Sequence, residues 1–224
     1  MHLSGIVFAF SALISLSTAH FRLVDPPPRG FSEDMLTRFP CGGQSMSKSR
    51  TSVSLTDLEM PIALEMGHDQ TAVQVLLALG SHPGSNFNIT LVPTFRQVGL
   101  GDFCLPSVSL DEQRLGVKPV DGMNATLQVV TNGDPNGGLY NCADITFSST
   151  TEYTVPSSCK NGTGVTATPF SGEAATRNAN ESTPNGQPQR GNSGSGPTSN
   201  IAGHLETATW GVLGAIVVGG VALL

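Results

Sequence analysis

A histidine stands directly behind a potential cleavage point in the stretch "LISLSTAHFRLVDPPPRG". Residues 1–19 carry an apolar run, Gly5 to Leu16, followed by Ser17-Thr18-Ala19, and read as a secretory signal cut after Ala19. Such a cut makes His20 the first residue of the mature chain. A terminal histidine offers its α-amine and its own ring Nδ1 to one metal ion, and a second imidazole completes three nitrogens in a T, a set that suits copper in either oxidation state. The amine must be free and unprotonated, so processing creates the ligand. This donor set is a histidine brace. The mature domain holds two candidates for the second imidazole: His68 in "LEMGHDQTAVQVLL", in a turn before an apolar strand, and His82 in "GSHPGSN", a Gly/Pro loop. Placement at a strand end favours His68. A third donor is read at Asp144 in "YNCADITF", with Asp69, Asp25 and Asp134 as rivals. Isolated loop histidines and aspartates are ordinarily just solvated, and only the terminal position of His20 sets it apart.

The elements that must position these groups read as strands. Val73, Val75, Leu77 and Leu79 share one face of a strand, Leu91 and Phe95 one face of another, and Leu127 and Val129 one face of a third. On the segment "GLYNCADITFS", Leu139, Asn141, Ala143, Ile145 and Phe147 oppose Tyr140, Cys142, Asp144 and Thr146; "TNGDPNGG" before it is a hairpin turn. "SEDMLTR" and "LDEQRLG" carry short-helix signals. The expected fold is an all-β antiparallel β-sandwich of the immunoglobulin or fibronectin III kind.

Four cysteines in a secreted domain argue for two disulfides, with three possible pairings. Pairing Cys41 with Cys142 and Cys104 with Cys159 would tie the segment after His20 to the strand bearing Asp144. Sequons stand at Asn88, Asn124, Asn161 and Asn180. The domain is expected over 20–161. Residues 162–200 are Ser, Thr, Gly, Asn and Pro with Val165 and Phe170 the only large apolar side chains other than proline, and read as a flexible stalk. Residues 201–224 end in "GVLGAIVVGGVALL", about 21 Å as a helix and short of a bilayer core. They read as a propeptide for a GPI lipid attached at Asn200, or at the small residues Ser193-Gly194-Ser195, with a tail-anchored helix as the alternative; the lipid would hold the protein on the outer face of the plasma membrane or in the cell wall. With 11 basic and 17 acidic residues and no basic cluster, nucleic acid is not an expected partner.

The segments "HFRLVDPPPRGF", "FPCGG", "HDQTAVQVLLALG" and "NCADITF" together resemble fungal copper-binding proteins related to lytic polysaccharide monooxygenases, a group that includes a cell-surface copper acquisition factor. The resemblance implies an immunoglobulin-like sandwich with two disulfides and one Cu(II) held by His20, His68 and Asp144. It further implies copper capture outside the cell, with a plasma-membrane copper transporter as a partner. Oxidative cleavage of polysaccharide is the competing expectation. A carboxylate donor favours Cu(II) over Cu(I), and aromatics that could stack on sugar are few: Trp210 lies in the tail, leaving Tyr140 and Tyr153. Both points weigh toward binding without catalysis.

Overall fold

A computed structural model describes residues 20–190. The expected signal 1–19, the far part of the expected stalk, the propeptide 201–224 and Asn200 lie outside the described residues. Among the described residues, nine strands form two sheets. The smaller has the order β1 (Phe21–Asp25), β3 (Glu59–Met66), β6 (Gly101–Ser109). The larger runs β2 (Thr51–Ser54), β8 (Gly138–Ser148), β7 (Asn124–Asn132), β4 (Gln70–Leu79), β5 (Ile89–Val98), β9 (Thr166–Pro169). The period-two apolar residues meet between the sheets: Leu23, Ile62, Leu64 and Phe103 from one, and Val75, Leu77, Leu127, Val129, Ala143 and Ile145 from the other. Phe95 and Phe103 touch across the gap with ring centroids 5.8 Å apart. The all-β sandwich expected from the alternation is therefore present. It is not wholly antiparallel, because β2 runs parallel to β8. The short-helix signals appear as a 3-10 turn at Glu33–Met35 and as α1 (Glu112–Leu115), which Asp111 caps through the Arg114 amide.

The outer face of the larger sheet is covered as well. Between β1 and β2 the chain crosses it, with the Arg29 amide bonded to the Cys142 carbonyl and the Tyr140 amide to that of Leu36. Cys41–Cys142 staples this crossing, and Cys104–Cys159 ties β6 to the segment after β8.

Residues 162–190, expected as part of a stalk, instead continue the domain. β9 pairs with β5 from Val98↔Thr166 to Phe95↔Pro169 and covers a sheet edge. Val165 enters the core, while Ala179, 0% exposed, packs on Val130 and Tyr140. α2 (Glu173–Thr176) and a 3-10 turn at Ala179–Glu181 follow. The composition argument fails here for a physical reason: this stretch needs no core of its own, because it lays backbone and a few small side chains on a sheet that already exists. Among the sequons, Asn88 is exposed. The Asn124 amide bonds to Ser81, the Asn161 carbonyl accepts from the Cys104 amide, and Asn180 packs against Gly138.

Candidate metal centre

The β1–β3 register puts Phe21 opposite Met66. One step further, the Gly67 amide donates to the His20 carbonyl at 2.8 Å, so His20 extends the ladder beside the residue that precedes His68. A side chain at Gly67 would collide with the His20 carbonyl oxygen and would meet the His20 nitrogen at 3.5 Å. Glycine is thus required for the close approach rather than for a turn. The His20 ring is 26% exposed, yet its Nδ1 is buried and has no hydrogen-bond partner. Glu33 lies 3.8 Å away, too far for a hydrogen bond. A buried imidazole nitrogen without a partner is costly unless something else occupies its lone pair or takes its proton. Nδ1 is the ring atom that closes a chelate with the α-amine of the same residue.

His68 is half-buried in the turn between β3 and β4. Burial pushes its imidazole below the ordinary value; the negative charges of Asp134 and Asp69 oppose this, and His20 adds to the lowering. The ring is therefore biased toward the neutral form that can ligate, and it feels both His20 and Asp134. His68, Asp69, Gln70, Asn132 and Asp134 line one concavity, closed on its far side by Thr183, Asn185 and Gln189. His20 lines the neighbouring one with Phe31, Glu33 and Gly67. Among the described residues no three His, Cys, Asp or Glu side chains converge on a point. A brace requires only two such side chains, since its remaining nitrogen comes from the main chain.

Asp144 stands elsewhere. In the β7–β8 register Asn132 faces Gly138 and Thr126 faces Asp144, six residues along, about 20 Å from the end of the sheet where His68 lies. Its carboxylate is 2% exposed and committed. Arg29 donates to both oxygens at 2.9 and 2.7 Å, Thr126 Oγ1 donates at 2.7 Å and the Ser47 amide at 2.8 Å. The expectation that Asp144 joins His20 is corrected on this ground. The Cys41–Cys142 pairing is as anticipated, but it draws Asp144 to Arg29 at the opposite end of the strand. The solvent-facing alternative for Asp144 fails too, because the crossing segment covers it. Asp25 closes β1 at the end away from His20. His82 follows β4, whose ten residues, about 30 Å, separate it from His68. The structure thus sets the His20 main chain against Gly67, the residue before His68, and puts His68 and Asp134 in one concavity while His20 lines another. Reasoning from sequence passed over Gly67 and Gln189. Nothing periodic marks either residue, although a glycine directly before the candidate histidine is, in retrospect, a signal.

Comparison with known proteins identifies the family. Residues 18–164 match the family model described as copper acquisition factor BIM1-like. An uncharacterised protein of Aspergillus fumigatus is 55% identical over 97% of both chains. Copper acquisition factor BIM1 of Cryptococcus neoformans is 30% identical over 67% of this chain and 69% of its own. A lytic polysaccharide monooxygenase-like protein X325 of Yarrowia lipolytica is 29% identical over 75% of this chain and 62% of its own.

Proposed function

This chain belongs to the copper acquisition factor BIM1-like family, and from that premise we propose that its mature form captures one Cu(II) outside the cell through a histidine brace, without redox catalysis of its own. The donors are the His20 α-amine, His20 Nδ1 and the His68 imidazole, with the Asp134 carboxylate in place of Asp144 as the oxygen donor beside them. The observation that carries this reading is the buried, unpartnered Nδ1 of His20, held against Gly67 one residue from His68. Three nitrogens and one carboxylate match the preference of Cu(II) for nitrogen and oxygen donors. The chain's own part is to bring the terminal residue to the sheet end by a main-chain hydrogen bond, to bias the His68 ring toward its neutral form by burial, and to place a negative charge across from it. Copper is cargo in this account, passed on to a plasma-membrane transporter. A GPI lipid would keep the domain at the cell surface.

The discriminating experiment uses the N-terminus. Secreted protein beginning at His20 should bind one Cu(II), with nitrogen couplings in its electron paramagnetic resonance spectrum. A form that keeps one extra residue before His20 should lose copper affinity at least about 100-fold, because the chelating amine becomes an amide. Equal binding by both forms would sink the brace. The names of the monooxygenase-like relatives keep a second outcome in play. Oxidised oligosaccharides released from glucans or chitin by copper-loaded protein, reductant and peroxide would overturn the binding-only reading.

A further inference from the structure

We infer that Gln189 is a positioning residue for Asp134, and that the turn over residues 181–189 holds the carboxylate side of the copper site in place. This rests on the reading of Asp134 as the oxygen donor. The loop that carries Asp134 joins β7 to β8 and is closed at its base by the Gly133 amide, which donates to the Gly137 carbonyl at 2.9 Å. Pro135 stiffens the backbone next to Asp134, but the glycines at both ends, Gly133 and Gly137, leave the exposed loop free to pivot on its base. Gln189 supplies the restriction from outside. Its Oε1 accepts from the Gly137 amide at 2.6 Å and its Nε2 donates to the Gly137 carbonyl at 3.0 Å. One side-chain amide thereby satisfies both main-chain groups of one residue, as a neighbouring strand would.

The clamp is itself anchored. Gln189 Nε2 also donates to the Ser182 carbonyl at 3.0 Å, and the Gln189 amide donates to Glu181 at 2.8 Å. The Thr183 amide bonds to Gln187 across the turn at 2.7 Å. The Ala179 amide bonds to Gln74 Oε1 on β4 at 3.2 Å, which fixes the turn to the same sheet that carries His68 at its end. A second link runs from the Asn136 side-chain amide, oriented with its nitrogen toward the carbonyls, to Arg190 at 3.0 Å. Thr183, Asn185 and Gln189 share the concavity with His68 and Asp134. The turn therefore holds the loop's base and also walls the site. Groups that hold metal ligands in orientation commonly matter for affinity by about 10-fold or more.

The test compares secreted protein with its native His20 terminus against Gln189→Ala, Gln189→Glu and Asp134→Ala. In the metal-free state, Gln189→Ala should speed hydrogen exchange at the Gly137 amide, and Gln189→Glu, which keeps the acceptor, should restore part of the protection. Loaded with Cu(II), Gln189→Ala should bind about 10-fold more weakly and shift the axial copper hyperfine while keeping the histidine nitrogen couplings. Unchanged exchange at Gly137 would overturn the clamp. Faster exchange with wild-type affinity and spectrum, while Asp134→Ala alters both, would overturn the positioning role and leave Asp134 as donor. A wild-type spectrum and affinity in Asp134→Ala would overturn both readings together.

Discussion

Asp144 and Asp134 show how two aspartates of one hairpin, one within β8 and one in the loop before it, meet opposite surroundings. Burial is the largest influence on Asp144 and pushes its carboxyl up. Hydrogen bonds from Arg29, Thr126 and Ser47, with the Arg29 charge, outweigh it and hold the group below the ordinary carboxylate value. A carboxyl depressed on folding contributes stability that is complete above the unfolded value, near 3.9, and is lost as pH falls through the lower folded one. Melting temperature should therefore drop below about pH 4, and this acid limb should flatten in Asp144→Asn. At neutral pH, Asp144→Ala strands Arg29 and should cost about 3–5 kcal/mol in denaturant unfolding. The copper spectrum of Asp144→Asn should match wild type, whereas that of Asp134→Ala should not. The alternation that put Asp144 opposite Ala143 and Ile145 was legible in the sequence. Its partner was not: Arg29 lies 115 residues away and reaches it only because a crossing segment covers that face.

At the scale of elements, the proposed copper site depends on register. β1 contributes no side chain of its own to the proposed brace; it positions His20, the residue before it, by pairing Phe21 with Met66 and through the Gly67 bond to the His20 carbonyl. Gly67→Ala leaves every proposed donor in the sequence but forces the His20 carbonyl away. Copper affinity should fall at least about 10-fold, with the nitrogen couplings weakened or altered. Competition against a chelator of known affinity reads the result, and unchanged affinity would mean that His20 is not docked here. The four central strands of the larger sheet, β4, β5, β7 and β8, were recoverable from period-two patterning because residues such as Val73, Val75, Leu77, Leu127 and Val129 face the same gap, whereas β1, β3 and β6 of the smaller sheet went unread. β2 and β9 were not recoverable. Each is four residues long, and β9 is exposed at every position, so neither carries an alternation to read.

For the whole molecule, the lesson concerns where the domain stops. A composition rich in Ser, Asn, Gly and Pro signalled an end at Asn161, yet β9 and the turns to Arg190 belong to the folded unit. A mature chain ending at Asn161 should lose the burial of Val165 and Ala179 and uncover the β5 edge. The loss should be about 3 kcal/mol or more, lowering the melting temperature by about 10 °C relative to a chain ending at Arg190. Equal melting temperatures would return these residues to the role of spacer. The last described residues, Gln189 and Arg190, lie against the loop that carries Asp134. The segment that composition marked as spacer therefore ends as a wall of the proposed copper site, and trimming it would open that site as well as the sheet edge.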